Sequence, residues 1–273
     1  MQQRAQSPVP AVLTIVAVAA AIVVAFIGSG ALGGTPISEA AGGALAEDST
    51  PLAPAGPAFS IWSVIYVGLV LYAVYQVLPV ARRSARQGRL RLWAAVSAAL
   101  NAAWIWMVQL GSVAASVAVI IVLLAVLIRV MMVLLADRPA NIVEAVVTDG
   151  TFGLYLGWVC VATVANITAW GVTLGVEATF PGFEWAAVAV IVVTLLIGLG
   201  TAWWTRGRLT PAAATAWGLA WIAVGRMTTD LESATVAWAA GIAASVLVVG
   251  AVGLRLTRAR REHPATSSPA RSG

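Results

Sequence analysis

The stretch Pro57-Ala-Phe-Ser-Ile-Trp-Ser-Val-Ile-Tyr-Val-Gly68 leads from a loop rich in Gly, Pro and Ala into a long apolar run. At 100° per residue, a helix here places Phe59, Trp62 and Tyr66 on one face. Aromatic rings near the end of a membrane helix are typical of an interface belt, where the ring lies in lipid and its polar atom among headgroups. The alternative is a pocket wall that faces the interior of a helix bundle.

The composition favours a membrane protein. The chain has 273 residues, of which 60% are hydrophobic and 10% are charged, whereas a soluble domain carries about 25% charged residues. The net charge of +5 does not indicate a nucleic-acid partner, because the arginines cluster at the ends of apolar runs, as the positive-inside rule predicts. The single cysteine, Cys160, excludes an intrachain disulfide and is typical of a small buried hydrophobe.

Eight apolar runs predict eight membrane spans. The first exceeds the 7 to 15 residues typical of the apolar region of a signal peptide, so we interpret it as a retained span. The eighth is followed by a polar tail that we expect to be disordered. The predicted spans are 9–31, 58–78, 92–110, 113–135, 146–171, 185–204, 211–224 and 233–254.

The arginine distribution predicts how these spans are oriented. The segment from Ala81 to Arg91 contains five arginines and is expected to be cytoplasmic, as an orientation signal in contact with anionic headgroups rather than a site for a partner. The loops at 33–57 and 172–184 contain no arginine and are expected outside. We therefore expect a multi-pass protein of the cell membrane with both termini in the cytoplasm.

Catalytic and metal-binding sets are not found in the sequence. The only histidine, His263, lies in the tail, and no group of His, Cys or carboxylates has the spacing of metal ligands. The spans instead carry amides among aromatic residues. Asn101 shares a helix face with Trp104, and Asn166 shares one with Tyr155 and Trp158.

An asparagine in hydrocarbon must find a hydrogen-bond partner, so both are expected to point into the bundle. They either join helices or also border a ligand cavity, and the sequence leaves both alternatives open. A second side of the fifth span carries Gly150, Gly153 and Gly157, which favours close packing of another helix.

Three segments together resemble a known family. They are Pro54-Ala-Gly-Pro-Ala-Phe-Ser-Ile-Trp-Ser-Val-Ile-Tyr66, Leu100-Asn-Ala-Ala-Trp104 and Tyr155-Leu-Gly-Trp-Val-Cys-Val-Ala-Thr-Val-Ala-Asn166. They look like the signature segments of the translocator protein family, also called tryptophan-rich sensory proteins of the TspO/MBR type. The resemblance covers about residues 9–171 and implies an all-α membrane protein with a five-helix bundle. The three further spans make the chain an extended member.

The resemblance also implies a function. Family members hold porphyrins, and in some cases sterols, in a cavity of the bundle. Sterol binding is not expected here, because Val164 stands where the sterol-associated pattern has a tyrosine, and no arginine follows before Arg206. The residues expected to bind the ligand are Phe59, Trp62, Tyr66, Asn101, Trp104, Tyr155, Trp158 and Asn166.

The leading hypothesis is a membrane binding or sensory protein for a flat hydrophobic ligand such as a porphyrin-like tetrapyrrole. No cofactor is required, and porphyrin or haem would be the ligand. The alternatives are a small-molecule permease, for which the spans offer few polar residues, and a light-dependent porphyrin-degrading enzyme. The expected partners are the lipid bilayer and the small molecule, without nucleic acid, and a homodimer is left open.

The domain organisation follows from the spans. We expect a five-helix membrane domain over 1–175, three additional membrane helices over 176–256 that cover one flank without forming a separate pocket, and a disordered cytoplasmic tail over 257–273. One buried ion pair is also predicted. Arg129 and Asp149 lie equally far from a turn near Pro139, so they should have similar depth and pair, although Arg129 could instead extend its head to the interface.

Overall fold

The computed structural model describes residues 9–28, 35–37 and 39–262, and all regular structure in these ranges is helical. Eight long helices follow one another in this part of the chain. They are α1 (Val9–Gly28), α2 (Ile61–Tyr75), α3 (Ala85–Gln109), α4 (Val113–Ala136), α5 (Thr151–Thr173), α6 (Phe183–Trp204), α7 (Leu209–Thr228) and α8 (Ala234–Glu262).

Six of these helices are long and apolar enough to cross a membrane, namely α2 to α6 and α8, when α2 is counted from Gly56 and α5 from Ile142. The first helix contains a shorter apolar stretch, Ala11–Ala25. The predicted all-α membrane protein is thus confirmed. The seventh helix has 20 residues, so it is longer than the span expected at 211–224, and it does not reach the same apolarity.

Local sequence explains where the helices that carry the aromatic residues begin. A 3₁₀ turn, Gly56–Ser60, precedes α2, and Pro57 lies in its first positions, where a missing N–H costs nothing. The chain enters α5 through a short helix whose N-cap Asn141 accepts a hydrogen bond from Glu144 N at 2.9 Å. A wider π-helical stretch, Ala145–Gly150, follows and continues into α5.

The first five helices form a closed ring in the order α1, α3, α4, α5, α2. Helix α5 is the most enclosed, since 72% of its apolar window is buried, against 28–50% for the other candidate spans. One continuous apolar core fills the ring, and it includes Ile65, Leu69, Ile120, Leu123, Leu127 and Phe152.

The last three helices pack on the outside of α5, chiefly through α7. Glycines permit this approach, because a Cβ on Gly153 would meet Thr210 and one on Gly157 would meet the carbonyl oxygen of Pro211. These are two of the three glycines that the sequence predicted to pack against a helix. A second core, which includes Ile191, Leu219 and Leu247, joins α6, α7 and α8.

Two expectations about this C-terminal part are wrong. The three helices do cover one flank, but an apolar cavity of about 180 Å³ lies between the end of α5, the start of α6 and the segment at 50–52. It lies where α5 and α6 make few contacts with each other. The tail expected to be disordered from residue 257 is helical as far as Glu262, and residues 263–273 lie outside the described residues.

Candidate functional site

Trp62 lies at the centre of a cluster of rings inside the five-helix ring. Its ring stacks on Tyr66 and Trp104, with centroids 5.5 and 5.9 Å apart. It meets Tyr155 and Trp158 edge to face, at 5.8 and 6.3 Å. Phe59 meets Trp158 from the other side at 5.9 Å. We call these six residues, Phe59, Trp62, Tyr66, Trp104, Tyr155 and Trp158, the aromatic core.

The two asparagines are buried beside the aromatic core. Asn101 donates a hydrogen bond from Nδ2 to the Tyr66 hydroxyl at 2.9 Å. Asn166 accepts one from Trp104 Nε1 at 3.0 Å and one from the Ser116 hydroxyl at 3.2 Å. Both amides therefore join helices, as the sequence predicted. Ser116 of α4 was missed, because a lone serine in an apolar run carries no distinguishing signal.

All eight residues expected to bind a ligand thus lie together. The interface-belt alternative for the stretch at 57–68 is wrong, because Trp62 meets four rings inside the bundle and its partner Trp158 is 1% exposed. Phe59, Trp62 and Tyr66 remain half-buried. Because the stacked rings leave no gap between their faces, a flat ligand enters this cluster only if some rings separate.

Two polar atoms of the cluster lack a partner. Trp158 Nε1 and Asn101 Oδ1 are both buried, and neither has a hydrogen-bond partner among the described residues. The hydroxyl of Tyr155, by contrast, has a partner, since it donates to Ser97 O at 3.0 Å. An unsatisfied buried donor or acceptor costs about 1–3 kcal/mol. The cluster therefore retains one donor and one acceptor that an added molecule could satisfy.

Helix α7 holds the chain segment that leads into the aromatic core. Trp217 Nε1 donates to Ala58 O at 3.0 Å, and Ala55 N donates to Trp221 O at 3.1 Å. The rings of Trp217 and Trp221 pack edge to face at 5.5 Å. Sequence analysis did not predict this role. The available signal was their spacing of one helical turn in a helix that is less apolar than its neighbours.

A buried charge cluster lies at the arginine-rich end of the bundle. Arg86 contacts Glu144 and Asp149, each at 2.6 Å, and Arg208 contacts Asp149 at 3.0 Å. Gln87 donates to Glu144 at 2.7 Å. We call Arg86, Gln87, Glu144, Asp149 and Arg208 the charge cluster. It joins α3, the start of α5 and the start of α7.

The predicted pair of Arg129 with Asp149 is therefore wrong. Arg129 is exposed on α4, and its guanidinium lies 5.7 Å from the centroid of the Trp93 ring. Equal distance from the Pro139 turn predicts depth along two helices but not the direction in which each side chain points. The π-helical stretch that contains Asp149 also changes the rotation of its helix. Asp149 turns toward α3 and α7 instead.

The arginine-rich segment needs a related correction. It was interpreted as an orientation signal at the headgroups, yet Arg86 and Arg91 are each only 5% exposed. Arg91 donates to Gln76 Oε1 at 3.1 Å and to Ala81 O at 3.0 Å. At helical spacing some arginines of this run necessarily face the bundle while others, such as Arg89, face outward.

Fold and site together define an all-helical membrane protein in which five helices enclose an aromatic core. A family model described as "TSPO-like protein" matches residues 11–253. The chain belongs to this family, as the resemblance predicted, and membership indicates a multi-pass membrane protein of a sensory or binding kind. The match continues past residue 171 and so includes α6, α7 and α8. No curated protein and no solved structure matches the chain.

Proposed function

We propose that the protein binds a flat, apolar ring ligand of the porphyrin class at the aromatic core. The observation that carries the proposal is the pair of buried, unpartnered polar atoms, Trp158 Nε1 and Asn101 Oδ1, among stacked rings. Such a site offers indole faces for stacking, worth about 0.5–1.5 kcal/mol for each ring pair, and two groups that orient a polar edge of the ligand.

Trp62 is the ring that must move to admit the ligand. It touches four other rings of the aromatic core, so its displacement opens more contact surface than that of any single neighbour. It is also half-buried, unlike Trp104 and Trp158, and lies one residue into α2, next to the turn that precedes this helix. In the bound state, the rings that stacked on Trp62 stack on the ligand instead.

We further propose the orientation expected from the sequence, in the cell membrane with both termini in the cytoplasm. Its support is that exposed arginines accompany one set of helix ends. They are Arg83, Arg89, Arg138, Arg206, Arg255 and Arg260. The aromatic core lies nearer the opposite end, beneath the loop that contains Gly56 and Pro57.

The test is a titration of detergent-purified protein with protoporphyrin, followed by the Soret band. We expect a saturable shift with the unmodified chain. Trp158→Phe keeps an aromatic ring but removes the pyrrole part of the indole together with its Nε1 donor. One neutral hydrogen bond is worth about 0.5–1.5 kcal/mol, so affinity should fall by roughly two- to tenfold or more. Trp185→Phe is the matched control, because Trp185 is 72% exposed on α6.

Unchanged affinity in Trp158→Phe would remove the direct role assigned to the indole, and the absence of a saturable shift in the unmodified protein would refute the proposed function. The same samples test the enzyme alternative. Loss of porphyrin absorbance only under illumination would favour degradation over simple binding.

A further inference from the structure

Arg226 is a buried cation in the last turn of α7. Its side chain is 1% exposed. Nη2 donates to the backbone oxygen of Glu47 and, at 3.3 Å, to the Thr229 hydroxyl. The other two nitrogens, Nε and Nη1, are buried without a hydrogen-bond partner among the described residues.

No ion pair neutralises this charge in the described part of the chain, where the close pairs involve other arginines. Asp48 and Glu47 attract the guanidinium only from a longer distance. The nearest acidic segment is that of Glu47 and Asp48, but both side chains are exposed. The Glu47 carboxylate accepts a hydrogen bond from Gly56 N at 2.6 Å. An arginine stays protonated, and a buried charge without a partner is strongly unfavourable. Nε and Nη1 of the guanidinium therefore remain available to an anion that reaches them directly, which no carboxylate among the described residues does.

The position of Arg226 relates it to the aromatic core. Trp221 lies on the same helix and packs against the apolar core of the five-helix ring, which includes Trp104 and Trp158. Its backbone oxygen accepts a hydrogen bond from Ala55 N. Arg226 follows five residues later, which is roughly 7.5 Å further along the helix axis toward the outer end. Gly225 lies between Trp221 and Arg226 on α7, and its lack of a side chain lets the backbone of Ala53 and Ala55 approach the helix there. The segment that precedes the core thus runs past the guanidinium.

We propose that Arg226 binds a carboxylate carried by the ring ligand, whose apolar body lies in the aromatic core. The inference rests on the function proposed above and narrows it to flat ring compounds with an acidic side arm. Charge-assisted hydrogen bonds of guanidinium to carboxylate are about twice as strong as neutral ones and are typical of arginine sites that recognise such groups. A neutral ester of the same ring cannot use the charge.

The experiment compares protoporphyrin with its dimethyl ester, titrated separately into the detergent-purified full chain. We expect the acid to bind the unmodified protein roughly tenfold to hundredfold more tightly than the ester, the range for a hydrogen bond to a charged group. Arg226→Gln should weaken binding of the acid by that factor and leave the ester unchanged. Arg226→Lys should keep part of the preference for the acid over the ester, because lysine retains the positive charge. Arg129→Gln is the control, because Arg129 is exposed on α4.

Each other result decides against one of the two proposals. Equal affinity of the unmodified protein for acid and ester overturns the role of Arg226 and leaves the proposed function standing. Equal loss of both ligands in Arg226→Gln, with folding preserved, also overturns it, since a residue that only holds the loop would act on both. If Arg226→Gln does not fold, the test is whether the unmodified protein binds the acid more tightly than the ester and whether Arg226→Lys keeps part of that difference. Absence of saturable binding by either ring overturns the proposed function itself.

Discussion

Replacing Asp149 with asparagine tests the charge cluster directly. Its Oδ1 accepts from Arg86 Nη2 at 2.6 Å, and its Oδ2 lies 3.0 Å from Arg208 Nη1. Asparagine keeps the size of the side chain and removes the charge. Arg86 would retain Glu144 as a partner at 2.6 Å, whereas Arg208 would lose the only carboxylate it contacts among the described residues.

The expected loss follows from burial. Breaking a buried ion pair by removing one partner costs about 3–5 kcal/mol. We take the lower end, about 3 kcal/mol, because Arg86 keeps one carboxylate and the side chain of Arg208 is 20% exposed. At about 2–4 °C for each kcal/mol in a chain of this size, the midpoint of thermal unfolding should fall by roughly 6–12 °C.

The assay uses the single cysteine. Cys160 is half-buried in α5, so a thiol-reactive fluorophore reports unfolding of the detergent-purified protein at one site. Asp137→Asn is the matched control, because Asp137 pairs with Arg89 and the two side chains are 50% and 55% exposed. An exposed pair is worth about 0–1 kcal/mol. Equal midpoints for Asp149→Asn and Asp137→Asn would refute the stabilising role of the cluster.

Three further predictions concern packing and the contribution of α7. Arg129→Leu should change stability by less than about 1 kcal/mol, since only stacking on Trp93 is lost; a fall as large as that of Asp149→Asn would restore a buried role for Arg129. Gly157→Ala should destabilise the protein, because the new Cβ meets a backbone carbonyl, whereas Gly200→Ala, with open space around it, should be neutral or stabilising in the same thermal assay. Trp217→Phe removes the donor to Ala58 O and should weaken porphyrin binding more than Trp203→Phe, a change at a 66% exposed residue; equal affinities would show that this hydrogen bond does not position Phe59 and Trp62.

Helical periodicity and the family resemblance were sufficient to predict the aromatic core. Trp62, Trp104 and Trp158 fall on the faces that their spacing predicts, and amides in hydrocarbon must turn inward. The prediction holds because each residue was constrained by its own helix. The only further assumption was that α2, α3 and α5 surround a common interior, which the family's five-helix bundle implies.

Pairings between distant helices could not be predicted in the same way. The charge cluster depends on the rotation of α5, which the π-helical stretch before Thr151 alters, and on where α7 begins relative to α5. The sequence indicates how deep Asp149 lies along its helix, but not the direction around the helix axis in which its side chain points. The partnership of Trp217 with Ala58 likewise joins residues 159 positions apart, and no local pattern encodes such a contact.

That separation has a consequence for how the protein is made. The turn before α2 is held by Trp217 and Trp221, so its hydrogen bonds to α7 cannot form until the seventh helix has been synthesised and inserted. At about 5–20 residues per second, the 159 positions between Ala58 and Trp217 correspond to roughly 8–30 s of translation. During this interval the first five helices can assemble while the segment above the aromatic core remains untethered. The contacts that α7 makes above the aromatic core are therefore completed late in biosynthesis, after a nascent bundle is already in the membrane.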